Sequence, residues 1–347
     1  MRALAVLTVR NEGAFLLEWL AHHKAVGFTD FLVFSNDCDD GTDAMLDRLQ
    51  SLGHLTHLRN DGPHEGGVQW AALKQADRHP LVRQADWILP LDVDEFVNIH
   101  VGDHTLPALL AALPRATAIT LTWRLFGNGG VVRYDDRPVT EQFTRAAPAV
   151  IYWPWRATMF KTLYRNDGNY GKLGVHRPRS PDASRIGQTA WFDGEGRELP
   201  EKFNRQRIFS NMGQSNTALV QLNHYPLGAM ESYIVKCDRG RAVHGGDRLG
   251  MDYWAERNFS AEEDLTIAAT ALARDAALAA LKADDALARL HRDAVRWRKA
   301  RFEALMEQEP YRALFGRLLL TPPARPVPLQ AARFLTHFAN RARNREQ

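Results

Sequence analysis

Cysteine is scarce in this chain, with only Cys38 and Cys237 among 347 residues. Two thiols cannot build a disulfide framework, so the fold has to rest on a buried core, and the low count fits a reducing compartment. Long apolar runs are missing too, and nothing approaches the roughly 18 residues of a membrane span. Only Ala3–Val9 separates Met1-Arg2 from Arg10-Asn11-Glu12, too short an apolar region for a secretory signal. The net charge of +3 is small, and no basic stripe interleaved with aromatics precedes the C-terminal region. Nucleic acid is therefore not expected as a partner. No internal repeat or low-complexity tract interrupts a composition that is 45% hydrophobic and 24% charged. These absences point to a globular, soluble, cytoplasmic chain, large enough for one big domain or two smaller ones.

Strand and helix patterns alternate through the first hundred residues. Ala3–Val9 reads as a buried strand. Gly13–Val26 sets Phe15, Leu16, Trp19, Leu20 and His23 at helical spacing, and Gly27 stops it. Phe31–Phe34 is a second strand, followed by the polar turn Ser35–Gly41; Thr42 then opens a helix running to Gly53. Leu55–Arg59, Trp87–Leu91 and Ala118–Trp123 read as further strands, and Val68–Ala76 as a helix. This alternation predicts an α/β fold with a mostly parallel sheet flanked by helices. From Arg124 to about Gly250 the chain is rich in Gly, Pro, Trp and Tyr with little periodicity, the texture of substrate-covering loops. Ser260 with Glu263 spells a capping box, opening a helical run to about Met306 that breaks near Asp284-Asp285. Pro322, Pro323, Pro326 and Pro328 make an extended linker before a last segment, Gln330–Arg345.

The run Trp87–Phe96 (WILPLDVDEF) carries the most chemistry. It ends in Asp92 and Asp94, spaced i, i+2, with Glu95 directly after. In an extended strand residues two apart project to one side, so both carboxylates converge at the strand's C-terminal end, where open α/β sheets hold ligands. Convergent carboxylates suit a hard divalent cation, Mg²⁺ or Mn²⁺, that keeps open positions for phosphate oxygens. The alternative for the pair alone is a solvated strand-to-loop turn. Two other strand ends, Thr8-Val9-Arg10-Asn11-Glu12 and Ser35-Asn36-Asp37-Cys38-Asp39-Asp40-Gly41-Thr42-Asp43, line the same crevice.

In this order the three motifs resemble the nucleotide-sugar-binding half of GT-A glycosyltransferases, especially family 2 and family 92-like proteins. There a T-x-x-N-E first strand, an N-x-x-x-D-G-T second turn and a D-x-D-E-F fourth strand occur together. The stretch Asn11–His23 is similar to the family's N-E…E-W…H opening. The resemblance is clear over residues 3–100, looser from Trp123 to Gly240, and absent after about 255. It implies a GT-A fold over residues 1–255, with a nucleotide-sugar half at 1–100 and an acceptor half at 101–255, followed by a helical extension at 256–347. It sets Thr8, Arg10 and Glu12 by the base and ribose, and Asp37 or Asp39 as acceptor from the base imide N–H. Asp92 would face the ribose or the metal, and Asp94 the metal. The Cys38-Asp39-Asp40 turn departs from the small or hydroxyl residues usual there, which leaves open which acid meets the base.

Downstream, Leu222-Asn223-His224-Tyr225, Glu231-Ser232-Tyr233, Lys236 and Arg239-Gly240 resemble the family's N-H-Y…S/E…K…R-G tail. Gly174-Val175-His176-Arg177-Pro178 resembles its earlier histidine turn. His224 and His176 thereby become further metal ligands, against the alternative of structural histidines in an aromatic-rich region. Lys236, Arg239 or Arg241 would screen phosphate charge. The other eleven histidines, His22 and His23 included, are packing or surface residues. The implied activity is metal-dependent transfer, with inversion, from a UDP- or GDP-sugar to a saccharide or glycolipid acceptor, with Mn²⁺ or Mg²⁺ as cofactor.

An inverting transferase needs a base for the acceptor hydroxyl. Asp135, Asp136, Asp167, Asp193 and Glu195 all sit in the loop-rich middle, and Asp193, beside Trp191 and Phe192, is the choice because aromatic rings suit a sugar platform. Two rivals stand beside the transferase: a haloacid-dehalogenase-like phosphatase, which also uses a D-x-D after an apolar strand, and a non-catalytic sugar- or nucleotide-binding protein on the same fold. Finally, residues 311–347 hold seven arginines, no lysine and a single acid, Glu346, and Phe334, Leu335 and Phe338 share one helical face. Such a tail can dock at an anionic membrane's inner face, or pack as a short helix on its neighbours.

Overall fold

The computed structural model describes residues 1–239 and 249–343. Gly240, Arg241, Arg345 and Glu346 lie outside the described residues. The strands of the main sheet are β1 (Ala3–Val9), β2 (Asp30–Ser35), β3 (Thr56–Arg59), β4 (Trp87–Leu91), β5 (Glu95–Ile99), β6 (Ala118–Leu125), β7 (Phe160–Arg165), β8 (Trp191–Asp193) and β9 (Val220–His224). The helices that matter here are α1 (Gly13–Ala25), α2 (Thr42–Ser51), α3 (Val68–Ala76), α4 (Met230–Arg239), α5 (Ala271–Lys282), α6 (Asp285–Met306), α7 (Glu309–Leu320) and α8 (Leu329–Arg343).

The sheet runs β3-β2-β1-β4-β7-β6-β9-β5, and β8 adds to β6. Five pairings are parallel and three antiparallel, so the expected parallel sheet is present with β7 and β5 reversed within it. β4 and β5 stand four places apart in that order, about 19 Å in a flat sheet. Only Asp92-Val93-Asp94 joins them, a reach of about 14 Å at most from Leu91 to Glu95. The sheet must therefore curl, and the acid pair sits where the chain crosses the mouth of the curl.

Alternation along β1 divides the two cores. Ala3, Ala5, Leu7 and Val9 pack with Leu16, Leu17 and Leu20 of α1, while Leu4 and Val6 pack with Ala72, Leu73 and Ala76 of α3. α1 is buried nearly all round because α5 and α6 pack on its outer face. That explains His22 and His23, both 0% exposed, which bond the Val97 and Trp19 carbonyls at 2.8 Å. Asp284 caps α6 by accepting from the Leu287 N–H.

The Ser260/Glu263 capping box is overturned. Glu262–Glu263 form a short strand on Arg145–Ala146, and the next α-helix starts only at Ala271. Arg124 holds the Glu262 carboxylate at 2.6 Å, and Asp264 instead caps the following turn through Thr266 N–H and Oγ1. Tertiary ion pairing wins over the local signal. The region read as loops also holds β7, β8, β9 and α4, and β5 and α7 went unpredicted.

Candidate active site

Three loops at the C-terminal ends of β1, β2 and β4 build one cleft of about 1160 Å³. The first two are laced together. Asn36 Nδ2 donates to the Val9 carbonyl at 2.9 Å, the Glu12 N–H to Thr42 Oγ1 at 3.1 Å, and the Gly13 N–H to Asp40 Oδ2 at 2.9 Å. Asp40, buried, thus satisfies an open N–H at the start of α1 from a neighbouring loop. Asn11 adopts φ 53°, a left-handed conformation tolerated by Asn, and its side chain accepts from the Asp39 N–H at 2.7 Å.

Thr8, Arg10, Glu12, Asp92, Asp94, His176, His224, Lys236 and Arg239 all line the cleft. Asp37 and Asp39 do not. Both are exposed at its rim, with the Asp37 carboxylate accepting from the Gly62 N–H and that of Asp39 from Asn11 Nδ2. Their neighbour Asn36 lines the cleft in their place. Asp193 is a second correction. It is 1% exposed, away from the cleft, and accepts from the N–H groups of Glu195 and Arg197 and from Arg197 Nε. It holds a turn. Asp135, Asp136, Asp167 and Glu195 do not line the cleft either.

The acid pair is arranged differently from two side chains on one strand face. β4 ends at Leu91, and Asp92 to Asp94 form a turn. Asp92 turns one oxygen to Lys161 Nζ at 2.9 Å and the other to Gln69 Nε2 at 3.0 Å. Asp94 meets Lys236 Nζ at 2.7 Å through Oδ2, and His224 Nε2 lies 3.7 Å from Oδ1. Beneath them Glu95, fully buried, accepts from the Asp92 N–H and from Trp123 Nε1 at 2.7 Å, with Lys161 at 3.4 Å. Glu95 thereby fixes both the turn and the Trp123 indole, whose ring stands 4.3 Å from His224 and 5.7 Å from His176.

Electrostatics follow from this packing. Burial alone would raise the pKa of Asp94, but the Lys236 charge overrides it and holds the carboxyl far below its usual range. Burial pushes Glu95 up to about 8, against the pull of Lys161. Burial, reinforced by the Lys161 charge, lowers His176 to about 4, and burial lowers His224 as well, so both imidazoles are neutral at pH 7. A carbonyl can only accept, so His176 donates Nδ1–H to Phe160 at 3.0 Å and keeps its Nε2 lone pair. Among the described residues the buried Nδ1 of His224 has no hydrogen-bond partner.

Among the described residues no three His, Cys, Asp or Glu side chains gather as a metal cage. The donor set still fits a cation that takes most ligands from a diphosphate: Asp94 Oδ1 and His224 Nε2 face each other, and Mg²⁺-type sites use only one or two carboxylates beside phosphates. Asp92, engaged on both oxygens, is not brought to that point. Lys161, Gln69, Glu95 and Trp123 went unassigned in the sequence. No local signal marked Lys161, because the strand Phe160–Arg165 mixes polar and apolar residues; its full burial shows only in the fold, where lysine needs partners.

Residues 6–186, just over half the chain, match the sequence profile of glycosyltransferase family 92. The chain belongs to that family. Its mixed α/β architecture with a curled sheet is the GT-A fold that such membership implies. Glycosyltransferase family 92 protein Os08g0121900 of Oryza sativa subsp. japonica is 26% identical over 143 residues, 39% of this chain and 23% of that protein. Glycosyltransferase family 92 protein RCOM_0530710 of Ricinus communis is 25% identical over 148 residues, 39% of this chain and 24% of that one. The matched stretch thus spans about a quarter of the length of these family 92 relatives. Among solved structures, S. aureus TarS 1–349 in complex with UDP is similar at 17% identity and a TM-score of 0.34, over 65% of this chain and 61% of that one. Glucosyl-3-phosphoglycerate synthase from Mycobacterium tuberculosis, solved with Mn²⁺ and UDP, is similar at 17% identity and a TM-score of 0.25, over 35% and 44%.

Proposed function

We propose that this family 92 chain transfers a sugar from a nucleoside-diphosphate sugar, a UDP- or GDP-sugar, to a hydroxyl of a saccharide or glycolipid acceptor. The convergence of Asp94, Lys236 and His224 beside the Thr8–Glu12 turn carries this reading. Thr8, Asn36 and Gln69 mark the nucleoside end of the cleft, and Lys236 and Arg239 are the cations for the diphosphate. A divalent cation, Mn²⁺ or Mg²⁺, would be held by Asp94 and His224 and would stabilise the charge of the departing diphosphate. Asp92, kept in place by Gln69 and Lys161, then faces the ribose.

Inversion requires a proton acceptor on the acceptor side. With Asp193 spent on a turn, His176 takes that role, because its neutral ring lines the cleft with Nε2 unprotonated. Trp123, braced by Glu95, supplies the flat apolar face beside it for a sugar ring. A lipid-linked acceptor fits the C-terminal helix α8, whose Phe334, Leu335 and Phe338 are exposed beside Arg333 and Arg341. No helix among the described residues is long and apolar enough to cross a membrane, so contact there would be peripheral, at the cytoplasmic face.

The deciding experiment is incubation with a panel of UDP- and GDP-sugars plus Mn²⁺, assayed for released nucleoside diphosphate. Release from one donor is the expected result. Phosphate released from a generic ester instead would favour a phosphatase, and binding without turnover a binding module.

A further inference from the structure

A second pocket of about 480 Å³ opens off the cleft between α1, α4 and α6. It shares Glu12, Val93, Asp94, Lys236 and Arg239 with the cleft but none of the nucleoside-end residues Thr8, Asn36 and Gln69. Phe15, Val139, Tyr225 and Leu227 wall it with apolar surface. Arg298 of α6 reaches into it from far outside the stretch that matches the family.

Arg298 is 6% exposed. Its Nε donates to Ser232 Oγ at 3.3 Å and Nη2 to the Ser232 carbonyl at 3.1 Å. The guanidinium carbon lies 4.5 Å from the Phe15 ring centre and 5.8 Å from that of Tyr134. Among the described residues no carboxylate stands at ion-pair distance from it. Burial lowers its pKa only to about 10, so it is charged at neutral pH. A buried charge is ordinarily paired, since desolvation otherwise goes unopposed. The pocket's two other cations have counter-ions: Lys236 holds Asp94, and Arg239 holds Glu12. Burial, reinforced by the nearby Arg298 charge, lowers Arg239 to about 9, so it too is charged at neutral pH, and Glu12 is its ion-pair partner. Asp40, buried and bonded to the Gly13 and Thr42 N–H groups, acts on Arg298 only from beyond ion-pair distance, so among the described residues Arg298 is the one cation of the three with no carboxylate in contact.

We propose that this pocket is a subsite for a compact anion, a carboxylate or phosphate group borne by the donor's sugar or by the acceptor, with Arg298 as the recognising residue. A guanidinium offers a planar fork of N–H groups that matches either oxyanion, and apolar walls that exclude water strengthen the attraction. The pocket's place beside Asp94 and Lys236, away from the nucleoside end, puts the anion on the sugar side of the diphosphate. The source of the anion rests on the transferase reading; the anion site itself does not.

Titration calorimetry on the full chain tests both. Inorganic phosphate alone should bind wild type at one site, and about tenfold or more weakly to R298Q, with a smaller loss in R298K, which keeps the charge but not the fork. UDP-glucuronate against UDP-glucose then tests the donor, and glucose 6-phosphate against glucose on UDP-saturated protein tests the acceptor. A preference of about tenfold or more for the anionic member of one pair identifies the source, and R298Q should abolish it. Failure of wild type to bind phosphate, equal binding by R298Q, or, in a protein that binds UDP, no anionic preference in either pair would overturn the subsite. If R298Q does not fold, R298K and the wild-type pairs still decide. Phosphate binding that responds to Arg298 in a protein that ignores UDP would sustain the anion site and remove the donor reading.

Discussion

Replacing Asp94 by Asn keeps the shape of the side chain and removes one charge from the centre of the cleft. Two consequences follow, and they can be measured separately. The first is on stability. The Asp94 and Lys236 side chains are 23% and 18% exposed at a separation of 2.7 Å. That lies between exposed pairs, worth about 0–1 kcal/mol, and fully buried pairs, where loss of one partner costs about 3–5 kcal/mol. A loss of about 2 kcal/mol is expected in D94N. With an unfolding entropy of about 2.1 cal/mol/K per residue over 347 residues, that lowers Tm by about 3 °C. Because the cost comes from a stranded lysine, D94N/K236M should melt higher than the sum of the single losses predicts, by a coupling of about 1–3 kcal/mol. The second consequence is on ligand binding. Wild type should bind UDP about tenfold or more tightly in Mn²⁺ than in EDTA, and D94N should bind it equally in both. D94N also frees Lys236 for the diphosphate, so its metal-free affinity should not fall below wild type. Retained Mn²⁺ dependence in D94N would refute the assignment of the cation to Asp94. Additive losses in the double variant would refute the pairing as the source of the instability.

Three further outcomes are expected. Asp193→Asn should lower Tm by weakening the turn held by Arg197 and two N–H groups, while donor turnover stays within about twofold of wild type; lost turnover at unchanged Tm would restore Asp193 as the base. Truncation after Pro328 removes α8 and should leave release of nucleoside diphosphate intact but reduce co-sedimentation with anionic vesicles, and equal sedimentation of both proteins would dismiss membrane docking. Asp284 has its pKa lowered from 3.8 to about 2, first by the Arg48 hydrogen bond and then by the Leu287 N–H that it caps. A depressed folded value means its stabilisation is full above the unfolded value and fades as pH falls through the folded one. The Tm gap between wild type and Asp284→Ala should therefore be constant above about pH 5 and close between about pH 4 and pH 2, and a gap that persists at the acid end would show that the charge is not responsible.

Local pattern alone was enough for the chain up to Leu91, apart from the short helix Pro80–Gln84. β1, β2 and β4 are short apolar runs, each of α1 to α3 has an apolar face, and Gly27, Gly41 and Gly53 adopt the positive φ that ends or opens an element. Those strands are parallel neighbours, so their C-terminal loops had to meet, and the residues at those ends line the cleft. Strands β7 and β9 were illegible for the opposite reason. They are buried on both faces with Lys161, Gln221 and Asn223 inside, so no apolar run marks them, and the alternation in β9 covers only Val220–Asn223. The capping box at Ser260 failed because Arg124, 138 residues away from Glu262, holds that acid in an extended segment.

What only the tertiary structure decided is which charge meets which. The sequence by itself determined that Asp92, Asp94, His224, Lys236 and Arg239 are present and that the acids end a strand. It held no information on their partners, because Lys161 lies 69 residues from Asp92 and Lys236 142 residues from Asp94. Asp193 looks like Asp94 in one dimension, a carboxylate after an apolar strand. The fold spends the one on a turn and sets the other in a cleft. Contacts at that sequence separation are made by the curl of the sheet and the docking of α4 and α6, and no local rule reaches so far. Arg298 is the extreme case: an ordinary arginine on an amphipathic helix, left with no carboxylate in contact among the described residues by the way α6 packs on α1 and α4.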